Sequence, residues 1–140
     1  MYYRYDEQRR IQLDQPYRRA IMPFMMADNT PCPADFSVHL TEWEPGSQVD
    51  DHFHEEATEI MYCIAGHGVA SVDDQVYDFV PNSMIAAAPG QRHCIKNTGD
   101  TLLQAVCIFS PGVTAEELRR RGQSAVDQWK REHTGEDVSR

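Results

Sequence analysis

From Asp35 onward, apolar and polar residues alternate along the chain. Phe36, Val38 and Leu40 stand against Ser37, His39 and Thr41, the period-two signature of a strand with one buried face. By this pattern His39 points to solvent. Glu44-Pro45-Gly46 ends the run. Short segments of the same kind follow at 59–65, 69–72, 76–80, 84–88, 93–96 and 102–109. Between them lie Gly66-His67-Gly68, Asp73-Asp74-Gln75, Pro81-Asn82-Ser83, Pro89-Gly90 and Asn97-Thr98-Gly99-Asp100, all good turn chemistry. Strands this short and frequent predict an all-β sandwich or barrel.

The pattern changes at both ends. Thr114 precedes Ala115-Glu116-Glu117, a capping box with glutamate at the third helical position. Leu118, Gly122, Ala125, Val126 and Trp129 then share one helical face, which predicts a single amphipathic α-helix over 115–132. Residues 134–140 read as a frayed end. Residues 1–31 are aromatic and charged, then apolar over Ile21-Met22-Pro23-Phe24-Met25-Met26. That arm could be a strand docked on the main body or on a second subunit, or a short buried strand of the same domain. The expected organisation is an arm at 1–31, a barrel at 32–112, and a helix and tail at 113–140, in one domain overall. The 21–26 run and the amphipathic helix exceed what a small barrel needs to cover itself, so a homodimer is expected.

Composition adds limits. The chain has 140 residues, 41% of them hydrophobic and 25% charged, enough for a core without disulfide staples. No apolar stretch reaches the length of a membrane span, and Met1–Asp6 lacks a signal-type segment. A cytoplasmic protein with no membrane partner is expected. Cys32, Cys63, Cys94 and Cys107 show no close pairing and are expected as free thiols. The net charge is −9, and residues 32–112 carry twelve acidic side chains against only Arg92 and Lys96. Such a surface repels nucleic acid. An anionic substrate would have to be held by a metal, by Arg92 or Lys96, or by a basic residue from outside this segment.

The chemistry concentrates in His52-Phe53-His54, Glu59 and His93. On a strand, residues i and i+2 point the same way, so His52 and His54 can converge while Phe53 points away. Three imidazoles and a carboxylate suit one divalent transition metal ion, Fe, Mn, Ni, Zn, Co or Cu, and suit Ca or Mg poorly. A structural zinc site would more often use cysteines. With Glu59 inward, period-two geometry brings Met61 and Cys63 inward, and His93 brings Ile95 and Asn97. The pocket so formed is small and apolar, and Tyr62 faces away from it. Alternation points Arg92 outward, although a loop conformation could set it at the barrel mouth to grip a carboxylate. Arg18 and Arg19 could do so if the arm closes over that mouth. His67 and His133 read as surface.

The spacing Gly46, five residues, His52-x-His54, four residues, Glu59, six residues, Gly66 closely resembles the first motif of the cupin superfamily. Pro89-Gly90, two residues, His93, three residues, Asn97 resembles the second. Ala88 stands where that family usually has proline, and Asn82 where it has glycine; neither touches a ligand, and asparagine tolerates the left-handed turn. The resemblance covers roughly residues 35–110. It implies a double-stranded β-helix, or jelly-roll, barrel whose metal ligands are His52, His54, Glu59 and His93, with iron the first candidate metal. It implies a small-molecule substrate, possible chemistries ranging from dioxygenases to decarboxylases, lyases and isomerases, and also simple binding proteins. Fold alone does not choose among these. The first reading is an Fe(II)-dependent dioxygenase or related oxidoreductase. The alternatives are a redox-neutral lyase, isomerase, decarboxylase or cyclase, against which stands the lack of a second titratable group in the barrel beyond Cys63 and the ligand Glu59, and a non-enzymatic binding module.

Overall fold

The computed structural model describes residues 1–29 and 35–135. Cys32, the boundary expected at residues 31–32 and the end of the tail lie outside them. A 3-10 turn at Glu7–Arg9 precedes β1 (Ile11–Leu13), β2 (Arg19–Met25), β3 (Ser37–Trp43), β4 (Gln48–His52) and β5 (Thr58–Ala65). Then come β6 (Gly68–Val72), β7 (Gln75–Phe79), β8 (Met84–Ala87), β9 (His93–Asn97), β10 (Leu103–Ser110) and α1 (Ala115–His133). The strands form two antiparallel sheets. One has the order β1-β2-β3-β10-β5-β8 and the other β4-β9-β6-β7. This is the expected jelly-roll arrangement.

Alternation sets the inside of the barrel. On β5, Glu59, Met61 and Cys63 are buried while Tyr62 and Ile64 are exposed. On β9, His93, Ile95 and Asn97 are buried, and on β10 Leu103, Ala105, Cys107 and Phe109. Register aligns these into rows: His39 opposite Cys107, which is opposite Met61, and Ser37 opposite Phe109, which is opposite Glu59.

On β3 the expected period is right and the expected face is wrong. Ser37, His39 and Thr41 are buried, with His39 only 3% exposed, whereas Phe36 is 42% exposed. Leu40 and Glu42 on the opposite face are buried as well. With both faces of a strand covered, hydrophobicity no longer tells which one meets the interior.

The arm joins the larger sheet. β2 pairs with β3 from Arg19 opposite Trp43 onward, and β1 pairs with β2. Ile21, Met22 and Met26 are thereby buried inside the subunit. Thr114 caps α1, its Oγ1 accepting the amide of Glu117 at 3.1 Å. The helix buries Leu118, Gly122 and Val126. Both features that suggested a homodimer are thus accounted for within one subunit.

Two apolar clusters result. Trp43, Met61, Cys63, Phe79, Ile95 and Leu103 belong to the one that fills the barrel. Ile11, Leu13, Ile21, Phe109 and Leu118 belong to the other, which joins the arm and α1 to the barrel. Among the described residues, Cys63, Cys94 and Cys107 are free thiols, and no helix is long and apolar enough to cross a membrane.

Candidate metal centre and its cavity

Four side chains from three parts of the barrel meet between the sheets. His52 ends β4 and His93 begins β9, directly opposite it in register. Their ring centroids are 4.3 Å apart. Glu59 enters from β5 in the other sheet. His54 lies in the loop after β4, so its convergence with His52 does not come from a continuous strand. The β4–β9 ladder is irregular between Val49 and His52, and the amide of Gly90 donates to the carbonyl of His54 at 2.8 Å. That bond ties the loop to the Pro89-Gly90 turn. One ligand atom from each of His52, His54, Glu59 and His93 lies within 4.8 Å of the others.

Backbone carbonyls fix the imidazoles. His52 Nδ1–H donates to the Asp50 carbonyl at 2.7 Å, and His93 Nδ1–H to that of Gln91 at 3.0 Å. A carbonyl can only accept, so Nε2 is left for the cluster, the usual arrangement around ligating histidines. Oε2 of Glu59 lies 2.9 Å from His54 Nε2 and 2.8 Å from His93 Nε2. Burial works against the charged Glu59 carboxylate, but the hydrogen bonds from His54 and His93 outweigh it and hold the carboxyl well below its usual range. Burial also opposes a charged His93, yet its bond to Glu59 leaves the imidazole pKa raised. Burial, aided by repulsion from His93, lowers His52 to about 4. The raised His93 and the lowered Glu59 both favour a charge-assisted hydrogen bond between them. A divalent ion can replace the proton of that bond, because ligation requires deprotonated donors. The donor set of three nitrogens and one carboxylate therefore fits a transition metal ion.

The cluster opens on a cavity of about 650 Å³ lying between the two apolar clusters. It is larger than the small pocket expected from sequence; its surface is mainly apolar, as expected, with polar side chains set into it. Tyr17, Arg19 and Ile21 of the arm and Leu118, Gly122 and Ala125 of α1 help to line it, as do His39, Thr41 and Asp50. Of the residues expected in the pocket, Met61 lines it. Cys63 and Ile95 point inward but are fully buried in the barrel core, Cys63 lying two residues, about 7 Å, further along β5 than Met61. Arg92 is absent from the lining; its exposed guanidinium pairs with Asp51 and lies over the ring of Phe53. His67 and His133 are exposed.

Arg19, expected at the cavity if the arm closed over it, does line it, whereas Tyr17, Asp50 and His39 were missed or assigned to solvent. Tyr17 donates its hydroxyl to the Asp50 carboxylate, while the Asp50 carbonyl holds His52. Burial first, and then this bond, raise the Tyr17 phenol. His39 stacks on Phe109 with centroids 5.7 Å apart, and burial lowers its imidazole to about 4. Its Nδ1 and the Nε of Arg19 are buried without hydrogen-bond partners. The available signal was the charge and aromatic content of 17–19 directly before an apolar run.

A family model described as a cupin domain matches residues 39–109. The tetracenomycin polyketide synthase protein TcmJ of Streptomyces glaucescens is 30% identical over 83 residues, covering 59% of this chain and 55% of that protein. The L-ectoine synthase of Halomonas elongata is 24% identical over 90 residues, 63% of this chain and 64% of that protein. The chain thus spans less than two thirds of these curated relatives. Among solved structures, a predicted oxalate decarboxylase from Thermotoga maritima superposes with a TM-score of 0.67 at 21% identity, over 79% of this chain and 99% of that one. Ectoine synthase from P. lautus gives 0.65 at 20%, over 79% and 76%. The motif spacing, the two-sheet barrel and the matching family model agree: this chain belongs to the cupin family.

Proposed function

We propose that the chain is a metal-dependent enzyme acting on a small organic molecule. His52, His54, Glu59 and His93 hold one divalent transition metal ion, iron first, with Mn, Ni, Zn, Co and Cu as the alternatives. The reading supported best is redox-neutral chemistry of the lyase, isomerase, decarboxylase or cyclase kind. The observation that carries it is the Tyr17–Asp50 hydrogen bond in the cavity wall next to the ligand cluster. The bound ion would polarise a carbonyl or carboxylate of the substrate. In this reading Tyr17 Oη would receive a proton from that substrate as its own proton passes to Asp50, a relay that needs no phenolate. The name of one similar protein, an L-ectoine synthase, falls on the same side, while that of an oxalate oxidase among the solved structures falls on the other.

An Fe(II)-dependent dioxygenase is the second reading, favoured by one feature: four protein ligands leave positions open on an ion that prefers six. Metal analysis of protein purified without added metal comes first. Turnover of a panel of small organic acids with and without oxygen then separates the readings. Equal rates support the redox-neutral enzyme, and turnover matched by oxygen uptake replaces it with the oxygenase. A His52→Ala variant that loses metal yet keeps full ligand affinity and biological effect would replace both with a binding module.

A further inference from the structure

Arg19 lines the cavity with its Nε buried and unpartnered. Among the described residues it forms no ion pair. The neighbouring arginines differ. Arg121 at the same cavity is paired with Glu117 at 2.6 Å. Arg18 donates to the Pro45 carbonyl at 2.7 Å and lies 3.6 Å from Glu44. The guanidinium lies over the Tyr17 ring, 5.9 Å from its centroid, but a cation–π contact does not neutralise its charge. A buried guanidinium without an anion is costly, so its buried, unpartnered Nε marks a place where the cavity can take an anion.

Its placement is built into the fold. Arg19 begins β2 opposite Trp43, and Ile21 follows opposite Thr41. All four residues line the cavity, so Arg19 reaches in from the wall that the arm adds to the barrel. After burial itself, Glu59 is the strongest electrostatic influence on Arg19, which sets the guanidinium and the ligand cluster in one field. The Nδ1 of His39, 3% exposed, and the Nε1 of Trp43 are likewise buried without hydrogen-bond partners on residues that line this cavity. Asp50, Glu55 and Glu56 line the cavity too and repel anions that do not reach Arg19.

We propose that Arg19 is the anion-binding residue of this cavity and takes the carboxylate of a small organic acid whose reacting group lies at the His52, His54, Glu59 and His93 cluster. The placement of the reacting group rests on the metal-dependent reading above; the carboxylate site does not. A guanidinium offers two parallel N–H bonds to a carboxylate, and His39 adds a hydrogen bond alongside. Arg19 is thereby specificity-determining: an acid is accepted and its amide rejected.

The test is calorimetric titration of metal-free and metal-loaded protein with two- to five-carbon mono- and dicarboxylates, each against its amide and against inorganic phosphate. Wild type is expected to bind at least one acid in preference to its amide and to phosphate. Arg19→Gln should weaken that acid at least about tenfold, the loss of one charge-assisted pair, with metal content unchanged. Arg92→Gln should bind as wild type does. The proposal is overturned if no acid is preferred, if phosphate binds as well, or if Arg19→Gln retains wild-type affinity. Should Arg19→Gln fail to fold, phenylglyoxal labelling of wild type decides. The preferred acid should slow modification of Arg19 and leave Arg92 unaffected; no protection overturns the proposal. Wild type that binds no metal but still loses acid binding with Arg19→Gln would sink the metal reading alone.

Discussion

Glu59 Oε2 lies 2.8 Å from His93 Nε2, and the two residues come from opposite sheets of the barrel. The contact joins the two sheets, and under the proposed function a bound ion would join them in its place. Glu59→Gln keeps the shape and removes the charge. It is expected to lose most of the bound metal. The metal-free variant should be less stable than metal-free wild type at pH 6 by about 2 kcal/mol, the loss of charge-assisted hydrogen bonds at a buried site. Metal analysis and denaturant titration check both. Unchanged metal content would remove Glu59 from the ligand set.

Acid should destabilise the metal-free protein before its carboxylates titrate. His39 and His52 are both lowered to about 4, against about 6.5 in the unfolded chain. Between these values the unfolded state binds more protons, so stability is fully present above pH 6.5 and falls as pH drops toward 4. His93 is raised and acts in the opposite sense: its contribution is present below pH 6.5 and is lost as pH rises through its folded value. Two lowered imidazoles outweigh one raised one, so the net slope follows His39 and His52. Replacing His39 with Gln should reduce the slope between pH 4 and 6.5 by about one proton. Unfolding free energies of metal-free protein across that range measure it, and an unchanged slope would show that His39 is not held neutral.

Tyr17→Phe removes one oxygen from the cavity wall and leaves the four ligands in place. Metal content should match wild type. Turnover should fall by about 10² to 10⁴, the range for losing a proton-transfer group. A Tyr17→Phe enzyme with full kcat would remove Tyr17 from the proton path.

How far the site could be read from the chain differs from wall to wall. Strands such as β5 and β9 were legible because each has one covered face, so that with Glu59 and His93 inward, period two identifies Met61, Cys63 and Ile95 as inward too. The ligand motif was legible through its glycine spacing, although His54 reaches the cluster from a loop. The arm side of the cavity was not legible. Arg19 could be named only on the condition that the arm docks, and Tyr17 not at all, because that docking depends on β2 pairing with β3, a non-local contact with no local signature. His39 was assigned to solvent because polar side chains inside a barrel look, in sequence, like polar side chains outside it.

Gly66 and Gly122 both leave no room for a Cβ, and they should respond differently to alanine. At Gly66 the added atom would stand 2.5 Å from the Leu102 carbonyl oxygen and 2.7 Å from the Leu103 Cα, at a φ of +85°. Backbone cannot step aside, and the left-handed conformation adds strain of its own. Gly66→Ala is expected to cost about 3 kcal/mol or more. At Gly122 the neighbours are the Leu13 methyls, at 2.6 and 2.8 Å. A side chain can rotate, and alanine in a helix interior is favoured over glycine by about 1 kcal/mol, which offsets much of the overpacking. Gly122→Ala should therefore change stability by less than about 1.5 kcal/mol. Because Gly122 also lines the cavity, displacement of α1 from β1 should register in ligand affinity more than in stability. Denaturant titration alongside calorimetry with the preferred acid separates the two effects. A Gly122→Ala protein as destabilised as Gly66→Ala would mean that Leu13 cannot yield and that the α1–β1 contact is as rigid as the barrel itself.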